Sequence, residues 1–152
     1  MAPKAAATAL NPIELRLSGG MIALNRLIMT FQNKRMPVAG LTVGRDGGGM
    51  RATILLDCPP ETARRYAALL AGLEDVEGIE VPEGTLEVAL LKTSSDDWRE
   101  SAARAVVEAH EEGGTVVASG DPESVEAWLD SLGDKVEDIV RLGPVARPGD
   151  GG

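Results

Sequence analysis

The sequence predicts an α+β fold of two small modules, the first with elements in the order β-α-β-β-α-β and the second a truncated version of it. Three observations predict it: hydrophobic periods that switch between two and 3.6 residues in that order, a turn-rich break at Pro82-Glu83-Gly84, and a step in charge at the same place. Residues 1–82 hold nine Lys+Arg against eight Asp+Glu, whereas residues 83–152 hold six against sixteen. Length permits two such modules, because 152 residues divide into pieces of about 60 to 70. Pieces that small have marginal cores and commonly gain stability by association, so a dimer is expected.

Ile13, Leu15 and Leu17 alternate with Glu14 and Arg16 as in a half-buried strand, which ends at Ser18-Gly19-Gly20. Leu24, Leu27, Ile28 and Phe31 then share one face of a helix from about Met21 to Arg35, closed by Pro37. A hairpin follows, with Ala39, Leu41 and Val43 on one strand, Ala52, Ile54 and Leu56 on the other, and a glycine-rich turn at residues 45–49. Asp57 to Glu61 carries helix-start signals, and Ala63, Tyr66, Ala67 and Leu70 form the stripe of the helix that follows. Val76, Ile79 and Val81 complete a ferredoxin-like module over residues 13–82, behind a tail at residues 1–12.

The second module, residues 83–147, partly repeats the first and leaves residues 148–152 as a tail. Leu86, Val88 and Leu90 form a strand, and Trp98, Ala102, Ala105, Val106 and Ala109 a helical stripe. Thr115 to Ala118 form a strand; Val125, Trp128, Leu129 and Leu132 line another helix; Ile139 to Leu142 form the last strand. Only one strand is predicted between these two helices, so a strand is shortened or lost.

Composition narrows the function. A hydrophobic content of 43% with no long apolar run is ordinary for a soluble globular chain without membrane spans. A single cysteine, Cys58, excludes an internal disulfide and suits a reducing compartment, with the cytoplasm as default. The acidic second half repels phosphate backbones, and Phe31, Tyr66, Trp98 and Trp128 are the whole stock of stacking aromatics, which argues against nucleic-acid binding.

Catalytic groups are not assembled by the pattern. His110 is the only histidine, and it reads as a solvated residue late in the third helix beside Glu108, Glu111 and Glu112. Asp96-Asp97 reads as the cap of that helix and Glu111-Glu112 as its end, because adjacent helical residues do not face one another. Cys58, with no histidine nearby in sequence, reads as an inert thiol. The Ser18-Gly19-Gly20 turn differs: it joins a strand to a helix N-terminus, where free N–H groups and the helix dipole can hold a carboxylate or phosphate. Two glycines also suit a tight turn with no ligand at all.

Taken in order, the segment from Arg16 through Phe31-Gln32-Asn33-Lys34-Arg35 to Gly40-Leu41-Thr42-Val43 resembles the ACT domain of the acetolactate synthase (acetohydroxyacid synthase) small regulatory subunits. The likeness runs on through Arg51–Leu56 to Leu73-Glu74-Asp75-Val76. Further along, Leu86 to Lys92 is similar to that family's Glu-Leu-Ala-Leu-Ile-Lys strand. Ser119-Gly120-Asp121 resembles its Thr-Gly-Asp, and Asp138 to Ala146 its Glu-Ile-x-Arg-Thr-Gly-x-Val-Ala ending.

The resemblance implies a non-catalytic chain that pairs through its ACT domains. Its partner is then a catalytic large subunit that carries thiamine diphosphate, magnesium and FAD, with no cofactor on this chain. It also implies an amino-acid effector site at the pairing interface, which maps onto Gly19, Gly20, Met21, Ile22, Pro37 and Val38. The family's Asn-x-x-Gly turn aligns with Gly19 and Ile22, and its second-strand asparagine with Pro37, so effector sensing, valine feedback included, is expected to be reduced or changed. The alternative open at this stage is a stand-alone ACT amino-acid sensor acting on another protein.

Overall fold

A computed structural model describes residues 10–148, and the expected tails lie outside these except for Leu10, Asn11, Pro12 and Pro148. The chain divides into two compact units, one ending at Glu83 and the other spanning Gly84–Arg147.

The first unit contains β1 (Leu10–Leu17), α1 (Gly20–Asn33), β2 (Val38–Asp46), β3 (Gly49–Asp57), α2 (Pro60–Ala71) and β4 (Val76–Glu80). Its antiparallel sheet has the order β2-β3-β1-β4. Ile13 stands opposite Ile54 and Leu15 opposite both Ala52 and Ile79, so the inward residues of the two central strands fall on one face. That face is buried beneath the helices: Ile13, Leu15, Leu17, Ala52, Ile54 and Leu56 are at most 2% exposed and pack with Ala23, Leu27, Phe31, Ala63 and Leu70.

Two expectations shift. β1 starts at Leu10, three residues before the predicted strand. In α1 the buried line is Ala23-Leu27-Phe31, with Leu24 half-buried and Ile28 left 37% exposed, because the small side chain of Ala23 lets the helix approach the sheet on that side. The helix stops at Asn33, earlier than the predicted Arg35. Arg35 takes a left-handed φ of 51°, and the Met36 N–H reaches back to the Phe31 carbonyl at 2.9 Å. This six-to-one bond is the Schellman ending, here with arginine in the position that usually selects glycine.

The second unit repeats the plan in full: β5 (Thr85–Thr93), α3 (Trp98–Arg104), β6 (Glu108–Glu112), β7 (Thr115–Gly120), α4 (Pro122–Leu132), a 3₁₀ turn at Gly133–Lys135, and β8 (Val136–Ala146). Its sheet order, β6-β7-β5-β8, is that of the first unit shifted by four strands. The strand the sequence reading takes as shortened or lost is β6, present with five residues and paired to β7, with Ala109 opposite Ala118.

The reason lies at the end of α3. This helix does not continue through Ala105, Val106 and Ala109 as predicted. Val106 adopts φ 61° and the Val107 N–H bonds the Ala102 carbonyl at 2.8 Å. The same ending closes α1, and in both cases the residue after the left-handed one, Met36 or Val107, is buried against the core. Consequently His110, Glu111 and Glu112 lie on strand β6 and not in a helix's last turn. Trp128 of α4 is fully buried, and its indole N–H donates to Ser101 Oγ of α3 at 3.0 Å, tying the two helices together.

Candidate functional site

The Gly19–Ile22 turn is held open by backbone geometry. Gly19 occupies the N-cap position of α1 with φ 100°, and Gly20 follows at φ 64°. Both conformations favour glycine. No side chain caps the helix and no acidic residue sits in its first turn, so the leading N–H groups are not spent on a local carboxylate. Met21 and Ile22 are 69% and 67% exposed, which is unusual for large apolar side chains.

One charged group does approach. The Ser18 N–H donates to the Asp75 backbone carbonyl at 2.9 Å, which docks the turn before β4 against this corner. The Asp75 carboxylate lies beside Gly19, where an added Cβ would come within 3.5 Å of Oδ1. Arg26, nearly two turns into α1, pairs with Asp75 at 3.0 Å. Beneath them an open cleft of about 240 Å³ has Leu17, Ala23, Leu27 and Val76 as its floor and the Arg26–Asp75 pair at its rim. Sequence reasoning does not single out this pair. Its two members stand 49 residues apart, and neither spacing nor composition joins them.

The other two predicted positions stand elsewhere. Pro37 and Val38 are half-buried at the start of β2. The Pro37 carbonyl accepts from the Asp57 N–H at 2.8 Å, and the Val38 N–H donates to Met36. Between them and Gly19 runs the whole 14-residue helix α1, about 20 Å at 1.5 Å per residue. One copy of the chain therefore does not gather the six predicted residues into one pocket. Gly19, Gly20, Met21 and Ile22 form one cluster, and Pro37 and Val38 another at the opposite end of α1.

No catalytic centre appears at the remaining candidates. His110 is mostly exposed on β6, its Nε2 3.3 Å from Glu112 of the same strand. Cys58 is buried, and burial together with the neighbouring Asp57 charge pushes its thiol pKa up, which suits an inert side chain. Asp97 stands at the N-cap of α3 without donating or accepting a side-chain cap bond; its carboxylate instead accepts the Ser95 hydroxyl at 2.6 Å. Among the described residues no group of three or more His, Cys, Asp or Glu side chains is placed to hold a metal ion. Nor is any helix among them long and apolar enough to cross a membrane.

The fold and this site define a chain of two βαββαβ units whose best small-molecule feature is a helix N-terminus flanked by exposed apolar side chains. Among solved structures it is similar to the acetolactate synthase small subunit from Thermotoga maritima, with a TM-score of 0.75 at 17% identity. That match covers 91% of this chain and 96% of the other, so both units take part. At such low identity the likeness shows the fold. No protein-family model and no curated protein matches the chain.

Proposed function

We propose that this chain is a non-catalytic regulatory subunit of acetolactate synthase, which binds and activates the thiamine-diphosphate-dependent catalytic subunit in branched-chain amino acid synthesis. The observation that carries the proposal is the shared two-unit architecture over nearly the full length of both chains. Many unrelated proteins contain one βαββαβ unit, so a single unit would say little about function. Two in tandem, alike in order and extent, are more specific.

In this reading the first unit is an ACT domain that pairs with a second copy, and the protein acts in the cytoplasm. Two features support the pairing. Strand β2 is an edge of its sheet, and from Val38 to Gly44 it carries no charged, edge-protecting side chain, Arg45 and Asp46 coming only at its end. Helix α1 shows solvent a second apolar line, Met21, Ile22, Ile28 and Met29, besides the one it buries. An antiparallel pair of copies would bring the Gly19–Ile22 corner of one toward Pro37 and Val38 of the other, uniting the two clusters that one copy holds apart.

The effector site so formed would be altered. Gly19 and Pro37 supply no side-chain amide for a ligand's carboxylate and ammonium groups, and Ile22 fills space. Backbone N–H groups of Gly20 and Met21 remain to hold a carboxylate. Feedback by valine is accordingly expected to be weak or absent.

Co-expression with the catalytic subunit from the same genome, followed by size-exclusion chromatography, tests the proposal. A co-eluting complex is expected; separate elution under conditions where both proteins are folded would refute it.

A further inference from the structure

The cations of the first unit fall into two groups. Arg16, Arg26 and Arg51 each face a carboxylate, on Asp46, Asp75 or Glu14, at 3.0 to 3.9 Å. Lys34, Arg35, Arg64 and Arg65 are all exposed, and none of them forms an ion pair among the described residues. These four share one end of the unit. The Pro37 carbonyl accepts the Asp57 N–H and Val38 stands opposite Leu56, so the chain leaving α1 and the chain entering α2 run side by side. Lys34 and Arg35 directly follow α1, whereas Arg64 and Arg65 lie about 6–8 Å along the axis of α2 from its start at Pro60. Two acidic residues, Asp57 and Glu61, accompany the four basic ones in these segments.

Local needs do not account for these side chains. The negative end of the α1 dipole favours a cation, but Lys34 already supplies one there. Arg35 holds φ 51°, a conformation that glycine adopts without cost and arginine does not. Its exposed guanidinium gains no ion pair within the chain in return. Arg64 and Arg65 stand just past the first turn of α2, toward the end whose dipole disfavours cations. A strained backbone that displays a charge with no internal carboxylate partner points to a group outside the chain.

We infer that this end of the first unit, Lys34 and Arg35 after α1 with Arg64 and Arg65 of α2, is a docking site for an acidic segment of the partner protein. Carboxylates of that segment pair with the guanidiniums, which match them in planar, two-pronged geometry. Charge and shape select this occupant. The unit Gly84–Arg147 holds six Lys+Arg against fourteen Asp+Glu and repels a nucleic-acid backbone. Two copies of the chain, at a formal charge of -9 each, also repel one another overall. A small anion would want a pocket, whereas these cations are spread over two helix ends, and the clefts at Arg26–Asp75 and beside Gly48-Gly49 lie at the other end of α1. The identity of the partner as the catalytic subunit rests on the proposed function; the patch itself does not.

The test measures affinity of the full-length chain for the purified catalytic subunit at low and high salt, with thermal unfolding of each variant alongside. Arg35→Gly is the most telling change, because it relieves the backbone and removes the charge together. It is expected to raise the unfolding midpoint and yet weaken binding by about threefold to tenfold. Arg64→Glu combined with Arg65→Glu is expected to weaken binding by at least about tenfold and to flatten its dependence on salt. Arg45→Glu, at the exposed far end of β2, should leave binding unchanged. Variants that bind as the wild type does, or a loss shared by Arg45→Glu, would overturn the assignment while leaving the functional proposal intact. A lower midpoint for Arg35→Gly would show that the side chain serves the fold itself, and would overturn it as well. Failure of the wild type to bind would overturn both. A change in the chain's own oligomeric state with the complex unaffected would make the occupant a second copy and overturn the choice made here.

Discussion

The guanidinium of Arg141 on β8 holds the buried carboxylate of Glu87 on β5, with Nε donating to Oε2 at 2.7 Å. A second ion pair reaches Glu126 of α4. Burial opposes the charge on Arg141, but its bonds to Glu87 and Glu126 outweigh that and hold its pKa above the ordinary value. The Glu87 side chain is only 8% exposed, so removing its partner strands a charge in the sheet. Arg141→Ala is expected to destabilise the protein by roughly 1–2 kcal/mol, less than the scale for breaking a fully buried pair because the Arg141 side chain is itself 39% exposed. Arg141→Met combined with Glu87→Gln should cost clearly less. Denaturant unfolding of the three proteins checks this, and equal losses would show that the pair's charge is immaterial.

Val106 is a β-branched residue at φ 61°, and its side chain is 81% exposed. It gives up backbone comfort without packing in return. Glycine accepts this conformation freely but costs more chain entropy on folding. The balance favours Val106→Gly by roughly 0.5–1 kcal/mol, read as a rise in unfolding midpoint. A drop would mean that Val106 makes a contact worth more than its strain.

Gly49 has the opposite character. A Cβ there would lie 2.6 Å from the Leu17 carbonyl oxygen, which is backbone and cannot rotate away. Gly49→Ala is expected to destabilise the first unit by about 2 kcal/mol, as overpacking commonly does. Equilibrium unfolding decides, and a neutral result would show that the β1–β3 ends part easily.

The Cys58 thiol, its pKa raised by burial first and the Asp57 charge second, stays protonated at neutral pH. Alkylation of the native protein at pH 7.5 is expected to be at least tenfold slower than that of the unfolded chain. The folded state prefers the neutral thiol, so its contribution to stability is complete below the unfolded thiol's pKa and is lost as pH rises through the folded one. Native reactivity equal to the unfolded chain's would contradict the burial.

Much of the fold was legible because period and punctuation agreed. Alternation at Ile13-Leu15-Leu17 and Ala52-Ile54-Leu56 marks the central strands, and the prolines of the Asp57–Glu61 start mark the second helix. What misled was the end of α3. A Schellman ending with valine in the left-handed position carries no glycine or proline signal, so Ala105, Val106 and Ala109 read as more helix and β6 went unseen. The candidate site was legible only locally. Gly19 and Gly20 announce a turn, but the approach of Asp75 and Arg26 is set by the packing of β4 and α1, which no local pattern encodes. The separation of Pro37 from Gly19 follows from the helix between them.

Acetolactate formation by the purified catalytic subunit, titrated with this chain, tests the central claim most directly. The account predicts a saturable rise in rate, with little change on adding valine. A rate that stays flat across the titration, with both proteins folded, would contradict it.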